Sequence, residues 1–337
     1  MLTLKYKLSR IGDGIMKHKG IVAAKSQRLD SHSASKFKKN FQKYWAFYLM
    51  LMIPITYLMI FHWGPMKGLV IMFKDYKMRK GIQDSPWLDP WYDNFVWAFE
   101  SPVFRRAVKN TISISLKRIL IGFPCPIILA ILLHELPFPR LKKVVQTTSY
   151  LPNFLSWVIL GGIVRNVLSP STGALNAIIT FFGGEPIHFL AEVEMFQGIL
   201  VITGIWQSVG MSSIMYLAAL TAVSKELQEA ARIDGATRFQ SILHVTIPCI
   251  MPVIVIQLIL SMSGVLSGNF DQVFNLYNDV VVSKGEIIET YTYKVGLVDL
   301  NYAYAAAINF FQNVVALIVV LVTNAIAKKV DEGNALF

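Results

Sequence analysis

The residues whose types and spacing could do specific work lie at 224–248, SKELQEAARIDGATRFQSILHVTIP. From Glu226 to Ile233 the stretch consists of good helix formers, with Ser224 placed as an N-cap and acids in the first turn, where the helix dipole favours them. Gly235 can take the left-handed turn that ends a helix. A second helical stretch, 238–245, then leads to Pro248. Two short helices joined at a glycine form a rigid knob, able to dock in a groove of another protein and transmit a push. The same pattern also suits an amphipathic connector lying on a membrane surface.

Other chemistry is not indicated. The six histidines share no metal-ligand spacing, and Cys125 and Cys249 fall in apolar blocks where a thiol acts as a small hydrophobe. No Gly-x-Ser-x-Gly elbow and no Gly-x-x-x-x-Gly-Lys-Ser/Thr phosphate loop occurs, so ATP hydrolysis by that route is not expected of this chain, and neither a metal nor a cofactor is expected.

The elements that must position the knob are membrane spans. Of 337 residues, 54% are hydrophobic and 16% charged, against roughly 25% charged in soluble domains. Mean hydropathy is +0.49. A span needs roughly 20 apolar residues. Six blocks qualify, near 45–63, 111–133, 147–167, 196–223, 250–268 and 303–327, which predicts an all-α polytopic membrane protein. Lys117 and Arg118 are expected either to snorkel outward or to mark a later start of the second block, and Pro124 and Pro126 to kink it. The domains expected are a basic tail at 1–43, a transmembrane domain at 44–330 carrying the loop 224–248, and a short tail at 331–337.

Charge sets the orientation. The net charge is +11, and 11 of the 32 basic residues precede residue 44, a pattern that argues against nucleic-acid binding. Arg140, Lys142 and Lys143 follow the second block, Lys328 and Lys329 follow the sixth, and 168–195 contains no Lys or Arg. The positive-inside rule then places both termini and 224–247 in the cytoplasm. The loop 64–110, with eight basic and five acidic residues, is the one exception.

At Glu229-Ala230-Ala231, Gly235 and Val245-x-Ile247-Pro248 the chain resembles the permeases of binding-protein-dependent ABC importers, whose signature is Glu-Ala-Ala, three residues, Gly, nine residues, Ile-x-Leu-Pro. Val245 and Ile247 depart conservatively from it. Asp234-Gly235-Ala236 fits the sugar-permease form, and 50–76, 122–136, 146–163, 205–219 and 269–299 look like the polysaccharide-type branch of the carbohydrate permeases. His134 stands where that branch usually has Asn.

This resemblance implies a type I ABC importer permease fold that carries an oligosaccharide or complex sugar. The implied partners are a second permease, an ATPase dimer and an extracellular solute-binding lipoprotein. The loop would be the coupling helix: Glu229 makes polar contact with the ATPase, Ala230 and Ala231 permit close approach, Gly235 sets the turn, and Asp234 and Pro248 complete the element.

Sugars are held by aromatic faces with amide and carboxylate hydrogen bonds, and polar groups within spans tend to face a cavity. On that basis the pathway candidates are Asn153, Trp157, Trp206, Gln207, Tyr216, Asn269, Asp271, Gln272, Asn309 and Gln312. For any single one of them an interhelical hydrogen bond or an interfacial aromatic is the favoured reading, while the group as a whole is expected to include some lining residues. An ABC permease for a non-sugar solute, an ion-coupled secondary transporter and an intramembrane enzyme remain alternatives. The near absence of intramembrane acids disfavours the second, and the want of paired catalytic groups at depth the third.

Overall fold

The computed structural model describes residues 42–330, so the basic tail and the C-terminal tail lie almost wholly outside the described residues. Among the described residues there is no strand, only an isolated bridge between Lys74 and Trp87. Five helices are long and apolar enough to cross a bilayer: α1 (Gln42–Phe73), α3 (Pro102–Glu135), α7 (Val193–Thr221), α9 (Arg238–Met262) and α12 (Tyr302–Val330). Between them lie α2 (Asp93–Glu100), α4 (Pro139–Tyr150), α5 (Trp157–Val167), α6 (Ala174–Phe181), α8 (Lys225–Ile233), α10 (Phe270–Leu276) and α11 (Ile288–Tyr293). The chain divides after Leu69, with most of α1 as one unit and the remainder from Val70 as the other.

Several predicted boundaries are corrected. The second span begins at Pro102 and not near residue 111. Ser101 caps it, its hydroxyl accepting from Phe104 N at 3.3 Å, and Pro102 occupies the first turn, where its missing N–H has no consequence. Lys117 and Arg118 therefore sit mid-helix, and both bond inward instead of snorkelling: Lys117 Nζ donates to Gln197 at 2.7 Å and Arg118 Nη2 to Gln272 at 2.8 Å. The third predicted span is interrupted. After α4 comes a tight turn over Leu151–Phe154, then Leu155 and Ser156 are extended, and α5 has 11 residues. At ~1.5 Å rise per residue, α5 spans about half of a bilayer core. The second short helix of the knob is continuous with span five, which ends at Met262 and not near residue 268.

Three buried clusters hold the bundle. The first joins Ile114 of α3, Leu160 and Val164 of α5, Phe196 and Leu200 of α7, and Val273 and Leu276 of α10. The second joins Phe104 and Ala107 of α3 to Tyr291 of α11 and to Tyr304 and Ile308 of α12. The third joins Ala130, Tyr216, Leu220 and Ile250 across α3, α7 and α9.

Two polar residues of α3 tie down the segment before α11. Asn110 Nδ2 donates to the carbonyls of Ser283 and Glu286, at 3.1 and 3.0 Å, and Thr111 Oγ1 accepts from Ile288 N at 2.9 Å. Replacing Asn110 by leucine leaves two carbonyls without that donor, an expected loss of about 1–3 kcal/mol. Thermal melting of the purified protein checks this, and an unchanged midpoint would count against it.

Candidate functional site

Two sites follow from this fold. The first is a cavity of about 690 Å³. Ser115, Arg118, Ile119, Gly122 and Pro126 of α3 line one wall, spaced three and four residues apart so that they share one helix face. Ile205, Ser208, Val209, Ser212 and Tyr216 of α7 line the next, and Gln257 and Ser261 of α9 the third. The turn Ser267–Asp271 and Glu289 of α11 close the remainder. A π-helical turn at Arg118–Gly122 lies on this wall, a distortion found often at functional positions.

Arg118 is held by its neighbour Gln272. The Gln272 amide donates to Leu200 O at 2.7 Å and Thr203 Oγ1 at 2.8 Å, and its oxygen accepts from Arg118 Nη2. Gly204 makes room, because a Cβ there would lie 3.3 Å from the Gln272 oxygen. Glu289 is satisfied by the turn before α10, accepting from Ser267 Oγ at 2.9 Å and Gly268 N at 3.1 Å. Burial pushes its carboxyl above the ordinary value, while these donors and Arg118 pull it back. Asn269, at φ +62°, takes the left-handed conformation and caps α10 through Gln272 N.

Among the pathway candidates, Tyr216, Asn269 and Asp271 line this cavity, and Asn309 lines a separate cavity of about 500 Å³ that shares Phe270 and Glu289 with it. Gln272 is fully buried behind the wall. Trp157 is buried in the first core cluster, and Gln312 donates to Leu266 O at 2.7 Å. Asn153, Trp206 and Gln207 are absent from both linings. Sequence reasoning missed Arg118, Ser208, Ser212, Gln257, Ser261 and Glu289. Ser208 and Ser212, four apart in an apolar run, with Gln257 mid-span, carried a legible signal.

The second site is the knob. Ser224 Oγ accepts from Glu226 N at 3.2 Å and starts α8. The helix ends with Gly235 at φ +83°, Gly235 N donating to Arg232 O and Ala236 N to Ala231 O, the paired closure of a Schellman cap. Thr237 and Gln240 then form a reciprocal capping box that starts α9. Pro248 has no N–H for the carbonyl four residues before it, and a π turn at Ile242–Thr246 immediately precedes the regular helix. Glu229, Ala230, Asp234, Gly235 and Pro248 are exposed, and Ala231 is half-buried. The knob also presents bare apolar surface: Ile233 is 87% and Phe239 72% exposed.

Residues 122–332 match the model of the binding-protein-dependent transport system inner membrane component family. The chain belongs to that family. It is 40% identical to the polygalacturonan/rhamnogalacturonan transport system permease protein YteP of Bacillus subtilis, over 86% of this chain and 89% of the relative. It is 37% identical to the protein LplB of Bacillus subtilis, over 85% and 89%. Among solved structures it resembles a chain of a bacterial ABC transporter involved in import of the acidic polysaccharide alginate, with TM-score 0.81 and 37% identity over 88% of this chain and 99% of that one. A second crystal structure, of the alginate transporter with a periplasmic protein bound to an alginate pentasaccharide, gives TM-score 0.79. These matches carry the type I importer permease fold, and the long apolar helices agree with a multi-pass inner-membrane protein.

Proposed function

We propose that this permease carries an oligosaccharide inward as one half of the pore of an ATP-driven importer, with its knob docked on a separate ATPase. The observation that carries this reading is the exposed apolar pair Ile233 and Phe239 on a rigidly capped helix–glycine–helix. Such surface costs about 25 cal/mol per Å² of apolar area left in water and is relieved by burial in a partner's groove. The cargo class rests on the relatives, whose names specify polygalacturonan, rhamnogalacturonan and alginate, and on a cavity lined by aromatic rings and hydroxyl and amide groups.

In this assembly the ATPase is a dimer, a second permease completes the pore, and an extracellular solute-binding lipoprotein delivers the sugar. Both termini and the knob are cytoplasmic, in agreement with the basic loops. ATP binding closes the ATPase dimer and draws the two knobs together. The packed bundle is the two-state element, which rocks to face outward and receives the sugar, and hydrolysis resets it. Glu229 supplies the polar contact, with Ala230 and Ala231 allowing close approach.

Replacing Ile233 and Phe239 together by serine is expected to lower the ATPase recovered with the tagged permease at least about tenfold, the loss expected when buried apolar anchors are removed. Undiminished recovery at normal expression would remove the knob from the dock.

A further inference from the structure

Among the described residues, two buried side-chain atoms have no hydrogen-bond partner, Ser115 Oγ and Arg118 Nε. They belong to residues one turn apart on α3, and both residues line the same cavity. Arg118 has a single bonded nitrogen, Nη2, and its partner is the neutral amide of Gln272. No carboxylate of the described residues makes an ion pair with it. Glu289, on the same cavity, attracts Arg118 from beyond ion-pair distance but commits its oxygens to Ser267 and Gly268, and Asp271 is exposed.

A guanidinium within a membrane helix is costly unless it is paired or faces a polar cavity. If its role were only to tie α3 to α10, a neutral donor to Gln272 would serve at lower cost. What Arg118 adds is a positive charge with spare N–H donors at a cavity wall, next to a hydroxyl. Planar guanidinium donors match a carboxylate better than any other sugar substituent except phosphate or sulfate.

We propose that Arg118 reads the carboxylate of a uronic acid residue in the oligosaccharide, with Ser115 as the adjacent hydroxyl and Gln272 as the residue that positions the guanidinium. This rests on the importer reading above and narrows its cargo to acidic sugars.

The test uses the full transporter, the chain with its co-purifying partners, in nanodiscs without the binding protein or nucleotide. Affinities for trigalacturonate and for its fully methyl-esterified form are compared by saturation-transfer NMR titration. The acid is expected to bind about tenfold tighter than the ester, as for a charge-assisted hydrogen bond gained. In Arg118→Gln that ratio falls toward one. Gln272→Glu places an internal carboxylate against Arg118 and is expected to lower the ratio likewise while keeping the tie between helices, so it carries the test if Arg118→Gln does not assemble. Equal binding of acid and ester by the wild type, or an undiminished ratio in an assembled variant, overturns the proposal. ATP-driven uptake of a neutral oligosaccharide with no acid preference would remove this assignment and leave the importer standing, whereas a chain that recruits no ATPase would remove the importer itself.

Discussion

Replacing Gly235 by valine is expected to cut ATP-driven sugar uptake at least about tenfold, while the protein still reaches the membrane. The reason is backbone conformation and not space. A Cβ at Gly235 would meet nothing within 4 Å, but its φ is +83°. L-residues pay about 1–2 kcal/mol in the left-handed region, and a β-branched side chain pays most. The Schellman cap through Arg232 and Ala231 would open, and α8 would lose its fixed angle to α9. Asparagine tolerates positive φ, so Gly235→Asn should retain most of the uptake lost by Gly235→Val. Equal losses in the two variants would show that glycine serves here for close approach of a partner and not for its turn.

The second large effect is expected at Gly210, on α7. A Cβ there would lie 2.1 Å from Ser149 O and 2.4 Å from its carbonyl carbon. The obstruction is backbone on both sides, so no rotamer change relieves it, and α4 must move away from α7. Overpacking of this kind costs typically about 1–3 kcal/mol and here should reach or exceed the upper end. Gly210→Val should therefore lower the melting midpoint by several degrees or prevent assembly. Gly198 is the control, because a Cβ at that position on the same helix meets nothing within 4 Å. Gly198→Ala should be neutral or slightly stabilising, as alanine favours helix by up to about 1 kcal/mol. Matching midpoints for the two variants would contradict the close approach of α4 to α7.

The knob was the most legible element. Its cap residues, its glycine and its proline are local signals, and Ser224, Gly235 and Thr237 occupy the roles that such residues favour. Long apolar helices such as α7 and α12 were also legible, since lipid demands length and composition alone. The break at Leu155–Ser156 did carry a signal, Pro152-Asn153 and then Ser156 directly before α5, but it was overshadowed by the apolar residues on either side. The early start of α3 did carry a signal, Ser101 before Pro102, which was overshadowed by the polar run Arg105–Arg106. Arg118 was misread as an end-of-span charge, because the group that holds it inside, Gln272, is 154 residues away and leaves no local pattern. The cavity wall was only partly legible for the same reason: Tyr216, Asn269 and Asp271 line it, but Trp157 and Gln272 serve packing and hydrogen bonding within the bundle.

The most direct test of the account is affinity purification of the wild-type chain in mild detergent, through a tag after Phe337, with mass spectrometry of the chains that come with it. The account predicts a phosphate-loop ATPase and a second permease in the purified complex, with a photo-cross-linker at Glu229 joining this chain to the ATPase. Recovery of this chain alone, at good yield and with no ATPase cross-linked from the knob, would contradict it.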